Sequence, residues 1–120
     1  MHWSVCLRTG TGEIVAEHNA TRQLSTASVG KLLLLAEVAR RLDNGDLREE
    51  QSLSRTAASP VADSGLWQHM RADALSIGDL AVLVASVSDN LATNVLLDHV
   101  GIASVHKLAG ALGLRDTALL

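Results

Sequence analysis

The chain has 120 residues, of which 48% are apolar, and a formal net charge of -3. This length allows one domain with a small core, and the apolar fraction predicts a globular chain. It has no basic cluster, and its only large aromatic residues are Trp3 and Trp67, so we expect no nucleic-acid partner. No apolar run approaches the length of a membrane span. No signal peptide is recognisable before the first element, so we expect no export signal in these 120 residues.

The first predicted element is a β-hairpin over residues 2–17. Trp3, Val5 and Leu7 alternate with more polar positions, and Thr9–Gly12 supplies the chemistry of a tight turn. Cys6 is the only cysteine, which excludes an internal disulfide. Since unpaired cysteines are among the most buried residues, we expect Cys6 to be buried.

Four helices and no further strand are predicted after the hairpin, with a polar, irregular connection over residues 46–75. A two-stranded hairpin alone is marginal in water, so the inventory predicts an α+β domain that is incomplete, with its remaining strands beyond residue 120. We assign residues 1–20 to the sheet and 26–120 to a helical subdomain. The predicted helices run from about Ser28 to Asp43, stopped by Asn44–Gly45; from the capping box at Ser76 to the interruption at Ser88–Asn90; from there to Gly101; and from a cap at Ser104 to a stop near Gly113.

Lys31 stands at the head of the most apolar segment, directly before four leucines. Ser28 lies one helical turn earlier on the same face, which continues through apolar residues such as Leu35 and Leu42. We therefore expect Lys31 to point inward. The opposite stripe should face solvent and consists of polar residues: Glu37, Arg40, Arg41 and Asn44.

Two interpretations of the Ser28/Lys31 pair remain open at this point. A buried lysine loses its proton more easily and can act as a general base toward a neighbouring hydroxyl. The N–H groups at a helix N-terminus can also stabilise an oxyanion. Alternatively, Ser28 is an ordinary N-cap and Lys31 extends its ammonium to water.

A second motif, Ser88–Asp89–Asn90, lies between two predicted helices. These residue types are also common N-caps. However, S-x-x-K followed by S-D-N is a pattern of class A β-lactamases and penicillin-binding proteins. The chain resembles this family over nearly its whole length, from the hairpin through S-V-G-K and S-P-V (Ser59–Val61) to the segment around S-D-N.

The resemblance implies a β-lactamase-like fold and a chemical role for each of four residues. Ser28 would be the acylated nucleophile, and its backbone N–H would form half of the oxyanion hole. Lys31 would activate Ser28, either directly or through a proton network. Ser88 would pass a proton to the leaving lactam nitrogen, and Asn90 would bind the side-chain amide of the substrate.

The resemblance also implies structural roles for two residues, and at two other positions the sequence differs from the family pattern. Asp89 would brace the loop, and Asn94 would anchor the family's omega loop. Gly30 stands where these enzymes usually carry an aromatic residue, and Ala58 stands where many have a tyrosine, so the pocket should be looser or differently shaped. The family's deacylating glutamate would fall just after Leu120, and no K-T-G sequence is present.

The resemblance therefore predicts a serine hydrolase that opens β-lactams or acts on peptidoglycan-like acyl compounds, with little turnover by the 120 residues alone. The alternatives are a slowly acylating penicillin binder and a non-catalytic binding module of the same fold. The five histidines show no compact ligand spacing, so we expect neither a metal nor another cofactor. Uncovered apolar faces should make the isolated chain unstable or prone to associate.

Overall fold

Two small antiparallel sheets and four α-helices form the fold in a computed structural model that describes residues 2–55, 64–117 and 119. The α+β class and the number of helices predicted from the sequence are confirmed. Short 3₁₀ turns cover Ala27–Gly30 and Trp67–His69. The elements are β1 (Val5–Arg8), β2 (Ile14–His18), α1 (Lys31–Asp43), β3 (Ser52–Ser54), β4 (Ala74–Ser76), α2 (Ile77–Val87), α3 (Asn90–Val100) and α4 (Ile102–Ala111).

The hairpin of β1 and β2 is exposed on both faces. Val5 pairs with His18 and Leu7 with Ala16, and the register shifts after Leu7. The predicted burial of Cys6 is wrong, because its side chain is exposed on this two-stranded sheet. No other strand covers either face of the hairpin within the described residues.

A second sheet overturns the expectation that no strand follows the hairpin. β3 pairs antiparallel with β4, and Leu53 lies opposite Leu75. Each strand has only three residues, which is too short for an alternating pattern to stand out in the sequence. Ala58, which stands where many family members have a tyrosine, and Ser59–Val61, a part of the family resemblance, lie outside the described residues.

The first long helix begins at Lys31 and not at Ser28. Ala27 adopts a left-handed conformation with φ of 45°, and residues 27–30 form a 3₁₀ turn before the α-helix starts. Ser28 therefore lies in this turn, immediately N-terminal to α1. The predicted stop is confirmed: Asn44 is the C-cap, and Gly45 follows with φ of 78°.

The core lies where α1 meets the other three α-helices. Leu34 and Val38 of α1 are buried against a set of apolar side chains that includes Trp67. Fully burying one such aliphatic side chain contributes about 1.5–3 kcal/mol. The buried partners are Ile77, Leu80 and Val84 of α2, Leu91, Ala92, Val95, Leu96 and Val100 of α3, and Val105 and Ala109 of α4.

The predicted solvent stripe of α1 is partly wrong. Glu37 is only 1% exposed, and its carboxylate accepts hydrogen bonds from Arg40 and Arg41. Arg41 also donates to the Val100 carbonyl oxygen at 2.9 Å and to Ser104 Oγ at 2.7 Å. The Val100 carbonyl belongs to α3 and the Ser104 hydroxyl to α4. The polar stripe of α1 therefore lies against these two helices at Arg41 and does not face solvent there.

The helix caps agree with the prediction at α2 and differ at α4. Ser76 Oγ accepts from the Asp79 N–H at 3.0 Å and donates to the Asp79 carboxylate, which confirms the capping box. Helix α4 begins at Ile102 after Gly101, so Ser104 is not its cap. The Ser104 hydroxyl is instead an acceptor for Arg41.

Candidate active site

Ser28 and Lys31, the predicted pair, both line an open cavity of about 380 Å³. Ser28 is exposed in the 3₁₀ turn, whereas Lys31 is only 8% exposed. Asn90 and Asn94 line the same cavity from α3. Four of the predicted site residues therefore share one opening, and Ser88 joins Ser28 and Lys31 in an adjoining depression.

The Lys31 ammonium connects α1 to the S-D-N turn. Its Nζ lies 2.7 Å from the Ser88 carbonyl oxygen, 3.0 Å from Ser88 Oγ and 2.5 Å from Asn90 Oδ1. An ammonium has three donors, so these contacts satisfy all of them. Among the described residues no hydrogen bond joins the Lys31 amine to Ser28; only the Lys31 backbone N–H donates to the Ser28 carbonyl oxygen. The amine contacts the second motif directly.

Burial lowers the pKa of Lys31 from its ordinary value of 10.5, because the charged amine has lost much of its hydration. The nearby Asp89 carboxylate opposes this effect but is the smaller influence. A lysine with a lowered pKa holds a larger neutral fraction at a given pH. This is the state in which an amine can accept a proton from a hydroxyl.

The S-D-N turn is held by backbone geometry and by the Asp89 side chain. Ser88 ends α2 in a left-handed conformation with φ of 57°. Asp89 caps α3 by accepting from the Ala92 N–H at 2.9 Å. Its other oxygen accepts from the N–H groups of Leu66 and Trp67 at 2.7 and 2.9 Å. This buried carboxylate thus ties the 64–67 segment to the turn, as a bracing role requires.

Sequence reasoning missed two residues that shape this region. A Cβ on Gly65, whose φ is 132°, would lie 2.5 Å from the Asp89 carboxylate, so this close approach requires glycine. Leu119 lines the cavity beside Ser28. The S-G pair at Ser64–Gly65 is a turn signal, but nothing in the local sequence around Leu119 indicates a position in the cavity.

Asn94 lies on the cavity wall one turn after Asn90. Its expected partner, an omega loop, is not among the described residues, and its anchoring role stays a prediction. No three histidine, cysteine or carboxylate side chains cluster as metal ligands within residues 2–55, 64–117 and 119. In the same part of the chain, no helix is long and apolar enough to span a membrane.

The sequence and the fold match a known family. The model of the β-lactamase enzyme family matches residues 2–120, and the chain belongs to this family. The crystal structure of a β-lactamase from Sphaerobacter thermophilus DSM 20745 is 33% identical, with a TM-score of 0.87. The match covers 97% of this chain and 44% of that one.

Two further solved structures have the same fold. An ancestral class A β-lactamase is 25% identical over 98% of this chain and 45% of its own, with a TM-score of 0.83. A structure described as PBP-A is 24% identical over 79% of this chain and 37% of its own, with a TM-score of 0.74. The 120 residues therefore span less than half the length of these proteins, and the predicted β-lactamase-like fold is confirmed for the part they cover.

Proposed function

We propose that the protein is a serine hydrolase of the class A β-lactamase type, acylated on Ser28 by opening of a lactam ring. The observation that carries the proposal is the buried Lys31 amine, which lies between Ser88 and Asn90 beside the cavity that Ser28 lines. Ser28 is exposed to an incoming acyl donor. Family membership supports hydrolase chemistry of this kind.

The proposed acylation moves one proton from Ser28 to the lactam nitrogen. Neutral Lys31 accepts the Ser28 hydroxyl proton, directly or through a water, as Oγ attacks the carbonyl carbon. The C–N bond of the ring then breaks, and the nitrogen takes a proton from the Ser88 hydroxyl. The Lys31 ammonium, 3.0 Å from Ser88 Oγ, returns a proton to Ser88 and becomes neutral again.

Asn90 has two proposed tasks in this scheme. Its Oδ1 accepts a hydrogen bond from the Lys31 ammonium at 2.5 Å, which fixes the position of the amine. Its amide N–H group is then directed away from Lys31 and is available for an acyl side-chain carbonyl of the substrate. The backbone N–H of Ser28 would stabilise the developing oxyanion.

Covalent labelling with benzylpenicillin, followed by intact-mass analysis and peptide mapping, tests the proposal. We expect one adduct on Ser28, which the Ser28→Ala variant loses. Ser25→Ala is the matched control, because Ser25 is also exposed and lines the same cavity, and it should label like the wild type. An adduct that persists in Ser28→Ala would place the nucleophile elsewhere, and no adduct in the wild type would overturn the proposal.

The second candidate is a penicillin binder that is acylated and turns over slowly. One observation favours it: the Lys31 amine is bonded to Ser88 and Asn90 and not to the Ser28 hydroxyl. Continuous nitrocefin hydrolysis would favour the lactamase, whereas a stable adduct without turnover would favour the binder. A non-catalytic module would give neither.

A further inference from the structure

Gly30 lies in the S-x-x-K motif, but its backbone does not require glycine. Its φ of −59° and ψ of −24° are ordinary right-handed helical angles. Space is the constraint: a Cβ on Gly30 would lie 2.9 Å from Thr26 Oγ1 and 3.2 Å from Leu119 Cδ1. The absence of a side chain at position 30 therefore allows Leu119 to lie against the chain just before α1.

Two features hold Leu119 in this position, the burial of its side chain and a hydrogen bond to its carbonyl oxygen. Its side chain is only 7% exposed and lines the cavity that contains Ser28 and Lys31. Its carbonyl oxygen accepts a hydrogen bond from His106 Nε2 of α4 at 2.8 Å. His106 donates this bond when Nε2 carries the ring proton.

The lining of the cavity is chemically mixed. Ser28, Lys31, Asn90 and Asn94 contribute polar side chains. Leu97 and Leu119 contribute apolar side chains, which form an apolar wall. A group bonded to Ser28 would share the cavity with this wall.

We propose that Leu119 is a specificity-determining residue that limits the size of the acyl group reaching Ser28. Gly30 leaves the room for this wall, and His106 is its positioning residue. The inference rests on the proposed acylation of Ser28. It predicts that acyl donors with small side chains are accepted more readily than bulky ones, because Leu119 occupies part of the cavity that Ser28 lines.

The test compares rates of Ser28 acylation by 6-aminopenicillanic acid, which has no acyl side chain, and by benzylpenicillin. Leu119→Ala should raise the rate for benzylpenicillin relative to the small donor by roughly tenfold, the usual value of a few methylene groups in an apolar pocket. Leu119→Met is the matched control of similar volume and should leave the ratio unchanged. An unchanged ratio in Leu119→Ala would overturn the proposal.

The positioning residues have their own variants. His106→Ala should shift the ratio in the same direction as Leu119→Ala, and His106→Gln, whose amide can donate from a similar position, should restore it. Gly30→Ala should alter the ratio in the wild-type background and have a smaller effect in combination with Leu119→Ala, where only the contact with Thr26 remains. If the Gly30 and Leu119 substitutions act independently, the packing argument is wrong.

A measurement that does not depend on acylation separates the two proposals. In the wild-type protein, a labelled Leu119 methyl group should give a nuclear Overhauser effect to the Gly30 α-protons, and His106→Ala should weaken it. If this contact is present but no donor labels Ser28, the proposed function fails and the size limit falls with it. If Ser28 is labelled with unchanged ratios, only the role of Leu119 is overturned. All of these measurements use the untruncated protein and its variants.

Discussion

Lys31 has surroundings unlike those of an ordinary helical lysine, whose ammonium extends to water. Its stem is buried with the first turn of α1, and its ammonium is bonded to three oxygens of the S-D-N turn. An isolated buried charge would be costly, but hydrogen bonds to all three donors reduce that cost. The same contacts place the amine where it can relay protons, provided that its pKa is lowered enough to release one.

Replacing Lys31 with methionine tests the relay at nearly constant side-chain length. We expect Lys31→Met to slow acylation of Ser28 by about a hundredfold or more, the usual contribution of general acid–base catalysis. Lys107→Met is the matched control, because Lys107 is the only other lysine and is exposed on α4. Equal labelling rates in Lys31→Met and the wild type would exclude Lys31 as the proton acceptor.

The lowered pKa of Lys31 also predicts the pH dependence of acylation. The base must be neutral, and its pKa lies below the ordinary 10.5 because of burial. The rate should therefore rise with pH through the lowered pKa and level off before an unperturbed lysine would have lost its proton. The pH profile of labelling by a penicillin measures this, and a rise centred at or above 10.5 would contradict it.

At the scale of elements, the active-site turn depends on how the 64–67 segment approaches α3. The Asp89 carboxylate accepts from two N–H groups of that segment and caps α3. Asn90 N–H also donates to the Ser64 carbonyl oxygen at 3.0 Å. Ser88 and Asn90 flank Asp89, so any displacement of this carboxylate would move the oxygens that hold Lys31.

Gly65→Ala should destabilise the protein by about 2 kcal/mol, because alanine is strained at a φ of 132° and its Cβ would overlap Asp89. Thermal unfolding followed by circular dichroism measures the change. Gly110→Ala is the control: no atom lies within 4 Å of its added Cβ, and helix propensity predicts a gain of up to about 1 kcal/mol. A Gly65→Ala variant as stable as the wild type would disprove the close approach.

The link between α1 and α4 predicts unequal effects of two neighbouring arginines. Arg41 pairs with buried Glu37 and donates to the Val100 carbonyl and Ser104 hydroxyl. Arg40 is about half exposed and, within the part of the chain that the structure describes, forms its ion pair with Glu37 alone. We expect Arg41→Ala to lower the free energy of unfolding by about 2–3 kcal/mol and Arg40→Ala to lower it by clearly less. Equal losses in chemical denaturation would contradict this assignment.

At the scale of the whole molecule, the helices carry the core while the hairpin contributes none of its strand residues to it. All residues of β1 and β2 are exposed. Trp3, Val5 and Leu7 are each more than 40% exposed. Exposed apolar patches of this kind favour association, so the hairpin is where the chain should meet other surfaces.

The isolated 120-residue chain should associate in a concentration-dependent way, as light scattering coupled to size-exclusion chromatography would measure. Replacing Val5 and Leu7 by threonine should reduce association without a large change in thermal stability, since neither side chain is buried. Cys6→Ser, on the opposite face of the same strand, is the control and should leave association unchanged. A monomeric wild type with a cooperative thermal transition would contradict the predicted association.

The sequence predicted the four helices well, because each has an apolar periodicity and recognisable ends. The Ser76 cap and the Asn44–Gly45 stop are local signals, and both are confirmed. The sequence failed for β3 and β4, whose three-residue strands carry no period, and for Glu37, whose burial depends on packing around α4. The start of α1 also shifted, because the left-handed backbone at Ala27 precedes it.

The sequence by itself determined the helical framework, the S-x-x-K and S-D-N motifs and, through them, the family. These follow from residue type and spacing along the chain. Only the tertiary structure decided that the Lys31 amine binds Ser88 and Asn90 and not the Ser28 hydroxyl, that Gly65 admits Asp89, and that Leu119 lies beside Gly30. Each of these contacts joins residues distant in the chain, and its geometry depends on how helices and loops pack, which local periodicity does not encode.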